Sequence, residues 1–167
     1  MRATVKLVVT GSDGAVIARR KAHNTVLVSG ARLVAELFAG GAGGITHMGV
    51  GSSAEDAGAV DTEALTNDDG NGQPALAGET TAAIPADRFE VTVDDELKRV
   101  VVRVRGTLPE AAAVGAIREA GLLSRRADGD ILYNRVVFAD LPKGDDHELT
   151  LFWEVEFPYG DLQWLAR

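Results

Sequence analysis

The most constraining feature of the sequence is the regular alternation of apolar and polar residues in HELTLFWEVEF, residues 147–157. One set of alternate positions is apolar: Leu149, Leu151, Trp153, Val155 and Phe157. The intervening positions are charged or polar, with the exception of Phe152. A period of two predicts a β-strand with one face in a core and the other in water. Further strands are then needed to cover the apolar face.

A second amphipathic unit is predicted in RFEVTVDDELKRVVVRVRG, residues 88–106. With a turn at Asp95 and Glu96, this segment forms a hairpin with two different faces. The apolar face carries Phe89, Val91, Val93, Val100, Val102 and Val104. The polar face carries Glu90, Thr92, Arg99, Arg103 and Arg105. We expect the hairpin to be half-buried, with its arginine row either in solvent or against the acidic surface of a neighbouring subunit.

Two further strands are predicted between these units. The segment DILYNRVVFA, residues 130–139, is nearly continuous in apolar character, which is typical of a strand covered on both sides. The segment VGAIREAGLL, residues 114–123, contains the adjacent charges Arg118 and Glu119 in an apolar run. In a regular strand these two side chains point to opposite faces, so we expect each to find its own partner on an adjacent strand or subunit.

The first half of the chain is predicted to hold one hairpin, residues 4–18, one helix near residues 29–39, and a short strand in ITHMGVG, residues 45–51. Ser29 is the predicted helix cap, and Gly40 and Gly41 are predicted to end the helix. Residues 52–84 are predicted to form a long surface loop, called the excursion below. The sequence therefore predicts a mainly β (α+β) fold, an antiparallel β-sandwich or meander. We expect a single β-rich domain over residues 1–157, followed by a C-terminal tail, residues 158–167.

Composition restricts the class of partner. The formal net charge is -8 and the sequence pI is about 4.8. This charge argues against unspecific binding to nucleic acid or to an anionic membrane, which both require a basic surface. No apolar segment approaches the roughly 20 residues that span a bilayer, and the N-terminus lacks the features of a secretion signal. We expect synthesis in the cytosol.

No pattern in the sequence predicts an active site, a cofactor or a metal centre. The histidines His23, His47 and His147 do not have metal-ligand spacing, and a GxSxG nucleophile motif is absent. The glycine-rich segments lack the Lys-Ser/Thr ending of a phosphate-binding loop. Asn67, Asp69, Asn71 and Gly72 match early positions of a calcium loop, but Gly78 occupies the position that requires an acid. A solvated acidic loop is the favoured interpretation, and we expect the protein not to be an enzyme.

Several segments, taken in order, carry a family resemblance. They are HNTVLVSGARLVAELFAGG, ITHMGVGSS, EALTND and the region 115–157, which contains GAIREAGLL, GDILYNR and ELTLFWEVEF. This series resembles a group of tail proteins from tailed phages and prophages, including the tail-collar part found at the start of tail fibres. The resemblance covers roughly residues 23–157 and depends on the order and spacing of the motifs together.

The resemblance implies a structural component of a phage tail, or of a related contractile injection particle, at the baseplate or fibre attachment. The chain as given lacks a long repetitive shaft, so an adaptor or connector role is expected, in a particle assembled in the host cytoplasm. Its implied partners are copies of itself, as a trimer or ring, and other tail or baseplate proteins. The candidate subunit contacts are Arg118, Glu119, Arg99, Arg103, Arg105, Leu162, Trp164 and Leu165.

Three alternatives stay open at this point. The first is a free-standing β-sandwich module that binds carbohydrate or protein, for which Phe152 on the polar face of its strand is the supporting residue. The second is a hydrolase of cell-wall or capsule material, which would require convergent acids in a cleft. The third concerns the tail alone: Leu162, Trp164 and Leu165 either pack onto the chain's own sheet or dock onto a neighbour.

Overall fold

The protein is described from a computed structural model, which covers residues 2–41, 43–53, 59–68 and 74–160. Over these residues two five-stranded antiparallel sheets pack face to face as a β-sandwich, the first of the two predicted architectures. Sheet A has the order β2-β1-β10-β7-β6, with β1 Arg2–Gly11, β2 Val16–His23, β6 Phe89–Asp94, β7 Arg99–Leu108 and β10 His147–Pro158. Sheet B has the order β3-β9-β8-β4-β5, with β3 Thr25–Val26, β4 His47–Gly51, β5 Thr81–Ala83, β8 Gly115–Arg126 and β9 Gly129–Lys143.

The alternation in β10 has the predicted consequence. Leu149, Leu151 and Trp153 are at most 1% exposed in the core, whereas Phe152 on the opposite face is 41% exposed. β10 is the central strand of sheet A, between β1 and β7, so its apolar residues meet those of both neighbours. The predicted N-terminal hairpin is also confirmed, and its turn is closed by Gly14 in the left-handed region, with φ 79°.

The helix α1, Val28–Phe38, packs against β9 of sheet B, and its Leu33 enters the main core. Leu27, just before the helix, packs with Leu123 and Leu132 of sheet B in a cluster separate from the main core. The role predicted for Ser29 as the helix cap is wrong, because its hydroxyl donates to the Leu132 carbonyl of β9 at 2.6 Å. Ser29 therefore attaches the helix to the sheet instead of closing its first turn.

The β6–β7 hairpin has the two predicted faces, but its apolar face is not covered along its length. Val91 and Val93 pair with Val102 and Val100 on the core-facing side of sheet A. They are nevertheless 64% and 62% exposed. β6 is the edge strand of sheet A and pairs with β7. The expectation that these two valines are half-buried is therefore wrong, because sheet B does not extend over this edge.

The excursion is more ordered than the predicted surface loop. It contributes β5 to the edge of sheet B, and Leu76 and Ile84 enter the main core. A bridge between Ala77 and Val114 also connects it to the segment before β8. Leu65 of the excursion packs against Leu123 of β8 and beside Gly49 of β4, in the cluster separate from the main core, which places this part of the excursion beside the charged residues described next.

Candidate functional site

The predicted pair of charges on β8 belongs to a set of four charges, called the charged cluster below, in which three are buried and Asp140 is exposed: Arg118, Glu119, Arg135 and Asp140. Arg118 and Glu119 bind separate partners on the neighbouring strand β9. The Glu119 carboxylate accepts from Arg135 Nε at 2.5 Å, with side-chain exposures of 0% and 7%. The expectation of separate partners on an adjacent strand is confirmed, and both partners come from the same chain.

The second carboxylate oxygen of Glu119 binds the excursion. It accepts from the Thr66 backbone N–H at 2.5 Å, so one side chain connects β8, β9 and the excursion. Gly51 of β4 packs directly against this site, because a Cβ atom there would overlap both the Glu119 carboxylate and the Thr66 carbonyl. Glycine at position 51 is therefore needed for β4 to lie this close to Glu119 and to the excursion.

Burial raises the pKa of Glu119 above its ordinary value. The hydrogen bonds from Arg135 and from the Thr66 N–H, together with the Arg135 charge, act in the opposite direction by stabilising the carboxylate. Removing the charge of Arg135 would therefore leave only the Thr66 N–H to oppose desolvation. The buried carboxylate depends on this one guanidinium for much of its compensation.

Arg118 forms a fork with Asp140, through Nε at 2.8 Å and Nη2 at 2.9 Å. Its remaining Nη1 donates to the Ser52 carbonyl at the start of the excursion, at 3.2 Å. The pairing of β8 with β9 is irregular here, since Ile117 pairs with Leu141 and Glu119 with Val137. One residue of β8 thus faces three of β9, including Asp140. Alternation along a regular strand does not reveal this partner.

Asn67, the first position of the candidate calcium loop, forms hydrogen bonds within the chain. The Asn67 side chain donates to the Leu76 carbonyl at 3.1 Å and accepts from the Leu76 N–H at 2.6 Å. This amide replaces a backbone partner and joins two parts of the excursion. Asp69, Asn71 and Gly72 lie outside the described residues.

We expect Asn67→Asp to destabilise the protein by about 1 kcal/mol, because a carboxylate keeps the acceptor but places a second oxygen against the Leu76 carbonyl. Hydrogen exchange should report faster exchange at the Leu76 and Ala77 amides. Asp61→Asn, on an exposed residue of the same excursion, is the control and should leave both amides unchanged. Unaltered exchange at these amides in Asn67→Asp would contradict the role of the Asn67 side chain in joining the two parts of the excursion.

The predicted arginine row lies on the outer face of sheet A. Arg99 pairs with Asp94 and Glu156, which lie on the strands flanking β7. Arg103 pairs with Glu154 at 3.0 Å, and Arg105 stacks on the Phe152 ring at 5.6 Å. Two of the three arginines thus form an ion-pair ladder across neighbouring strands. Such exposed pairs contribute little to stability.

The remaining predicted residues are accounted for as follows. Leu162, Trp164 and Leu165 of the tail lie outside the described residues. His47 has a pKa below its ordinary value through burial and the nearby Arg125, and its Nδ1 contacts the Thr46 hydroxyl. Within the described ranges, no three His, Asp or Glu side chains are grouped to hold a metal ion. No helix in those ranges has the length and apolar character of a membrane span.

Reasoning from the sequence did not identify Arg135, Asp140, Thr66 or Ser52 as partners. One signal for Arg135 is present: it is the one charge in the interior of the apolar segment DILYNRVVFA, which begins with Asp130 and was predicted to be covered on both sides. A charged residue at such a position requires a buried counter-charge. The other three partners lie in a turn, a bulge or the excursion, where no periodic pattern exists.

Comparison with protein-family models, with curated proteins and with solved structures finds no match.

Proposed function

We propose that this chain is a structural component of a phage tail, or of a phage-tail-like contractile injection particle, with an adaptor or connector role at the baseplate or fibre attachment. The observation that carries the proposal is the convergence of the resemblance motifs on one buried cluster. Glu119 of GAIREAGLL binds Thr66 of EALTND and Arg135 of GDILYNR, against Gly51 of ITHMGVGSS. Four separate segments of the resemblance thus support one another in three dimensions.

The chemistry of this cluster supports a structural role over a catalytic one. Each charged group is bound by a neighbouring strand or by backbone, and Glu119 is fully buried. A general acid or nucleophile must reach a substrate, and the Glu119 carboxylate has no exposed surface to do so. The cluster fixes the excursion onto a rigid sandwich, which suits a part whose surface contacts neighbours in an assembly.

The test is the composition of purified particles. Sheathed or tailed particles from a strain that encodes this chain should contain it at a fixed ratio to the tail-tube protein, measured by quantitative mass spectrometry after density-gradient purification. Deleting its gene should give particles that lack baseplate or fibre structures in negative-stain micrographs. An abundant cytosolic protein, measured in the same fractions, controls for carry-over.

A chain that is monomeric and absent from purified particles would contradict this proposal. Selective binding to a glycan array by the isolated protein, without particle association, would instead support the carbohydrate-binding alternative, for which the exposed Phe152 is the candidate contact.

A further inference from the structure

The outer face of sheet A contains a broad depression of about 1010 Å³, called the basic groove below. It is lined by seven Lys or Arg residues and three acidic residues, in a chain whose formal net charge is -8. One of the seven, Arg20, directs its guanidinium to the Asp140 carbonyl on sheet B instead. The groove therefore concentrates positive charge on one face of an acidic protein.

A row of side chains crosses the floor of the basic groove. Lys21 pairs in register with Lys6, Lys6 with Phe152, and Phe152 with Arg105, across four neighbouring strands. All four are exposed, and Phe152 lies between two of the cations. Two lysines directly opposite each other on adjacent strands destabilise a sheet. This arrangement is unfavourable within the isolated fold and becomes favourable when an anionic partner covers it.

In the described parts of the chain, the cations of this row have no carboxylate partner. Over the described parts of the chain, no carboxylate lies within ion-pair distance of Lys6, Lys21, Arg19 or Arg105. The neighbouring Arg103 differs, because Glu154 and Glu90 neutralise it. The basic groove thus offers several unneutralised positive charges around one exposed aromatic ring.

The complementary surface is the excursion of the same chain. Residues 52–84 contain seven Asp or Glu residues and no Lys or Arg. Asp61, Glu63, Asp68 and Glu79 are exposed. The excursion contacts sheet B, through Leu65 and Thr66, whereas the basic groove lies on the outer face of sheet A. The two charged surfaces are on opposite sides of the sandwich, so one chain does not bring them together.

We propose that the basic groove of one copy binds the exposed acidic residues of the excursion of a second copy, namely Asp61, Glu63, Asp68 and Glu79. Because the two surfaces differ and face in opposite directions, this contact is heterologous and propagates from copy to copy, closing into a ring if the rotation permits. The proposal names the contact surfaces for the structural role proposed above and rests on that role for its biological setting. Self-association of the isolated protein is measured without particles, so either proposal can fail alone.

Sedimentation velocity is measured for the unmodified protein and three full-length variants, at about 20 mM and at about 500 mM NaCl. The low salt concentration extends the range of the electrostatic interactions between copies, and the high concentration shortens it. Lys6→Glu/Lys21→Glu reverses the basic groove, and Asp61→Asn/Glu63→Gln neutralises part of the excursion. Lys98→Glu, at the β6–β7 turn and outside the groove lining, is the control for a change in net charge. Circular dichroism verifies that each variant is folded.

We expect the unmodified protein to self-associate at low salt and to dissociate at high salt. For each double variant alone, the dissociation constant for self-association should rise more than tenfold. In Lys6→Glu/Lys21→Glu acidic groups then face acidic groups, and in Asp61→Asn/Glu63→Gln part of the attraction is lost. An equimolar mixture of the two double variants should form a one-to-one dimer, because one supplies an intact groove and the other an intact excursion. Lys98→Glu should behave as the unmodified protein does.

Three results would overturn the proposal. The first is a monomeric unmodified protein at low salt. The second is self-association of Asp61→Asn/Glu63→Gln as strong as that of the unmodified protein, which would indicate a contact that does not use the excursion. The third is a monomer that binds an anionic polysaccharide such as polygalacturonate and loses that binding in Lys6→Glu/Lys21→Glu, which would assign the basic groove to a glycan.

Discussion

Arg135→Met is expected to destabilise the protein by about 3–5 kcal/mol, because it leaves the fully buried Glu119 carboxylate without its counter-charge. Glu119→Gln should also be destabilising, since the buried Arg135 then loses its ion pair with Glu119. Urea unfolding followed by the fluorescence of the buried Trp153 measures both variants. The double variant, Glu119→Gln/Arg135→Met, should lose clearly less than the sum of the two single losses, because neither charge remains unpaired.

The pH dependence separates the two single variants. Burial raises the pKa of Glu119, and without Arg135 that pKa should rise further. A carboxyl group whose pKa is raised by folding favours the folded state below its unfolded pKa. This advantage is lost as the pH rises through the folded value. Arg135→Met should therefore recover much of its stability relative to the unmodified protein as the pH falls toward 4–5. Glu119→Gln, which has no carboxyl group at this position, should not.

The matched control lies on the outer face of sheet A. Glu154→Gln removes an ion pair in which Arg103 Nε lies 3.0 Å from a Glu154 carboxylate oxygen. The Arg135–Glu119 pair also joins an arginine Nε to a glutamate oxygen, but here the Arg103 side chain is 51% exposed and the Glu154 side chain 41%. Solvent and salt screen this pair, so its removal should change the free energy of unfolding by only about 0.2–1 kcal/mol. Equal losses at Glu154 and Glu119 would contradict the argument that burial decides the effect.

Gly30→Ala is expected to destabilise the protein by about 3 kcal/mol, the upper part of the usual range for overpacking. Gly30 lies in the first turn of α1, and a Cβ atom there would overlap the Tyr133 carbonyl of β9. In an isolated helix the same substitution would stabilise by about 1 kcal/mol, so the sign of the effect reports the contact with the sheet. Urea unfolding measures the loss, and faster hydrogen exchange at the Leu27 amide would locate it, since that amide donates to Tyr133.

Gly44→Ala is the control for this substitution. A Cβ atom on Gly44 meets no other atom within 4 Å, and its φ lies outside the left-handed region. Its free energy of unfolding should stay within about 0.5 kcal/mol of the unmodified protein. A Gly30→Ala protein as stable as Gly44→Ala would show that α1 can move away from β9 without loss, and the described packing would be wrong.

The hydrophobic pattern predicted most of the individual elements. The alternation in residues 147–157 determined which face of β10 is buried, because side chains on a strand alternate and only one face meets the core. The continuous apolar segment that became β9 was also correctly predicted to be covered on both sides, since residues 132–136 are all buried. The position of α1 followed from apolar spacing and from the glycines after it. These features depend on residues close together in the chain.

The tertiary structure decided which elements meet. Consecutive strands β7 and β8 lie in different sheets, and β10 pairs with the N-terminal strand β1. The exposure of Val91 and Val93 depends on how far sheet B extends, which no pattern within β6 records. The Arg118–Asp140 pair depends on an irregularity in pairing between β8 and β9, which shifts the register locally.

The sequence by itself determined that this protein is built from amphipathic strands and that charges lie within its apolar segments. Only the tertiary structure decided that Glu119 joins β8, β9 and the excursion, and that the basic groove and the acidic excursion occupy opposite sides of the sandwich. The physical reason is the separation along the chain over which each feature is determined. Burial patterns are set by the two-residue repeat of a strand, whereas the partner of a buried charge is set by packing between segments distant in the chain.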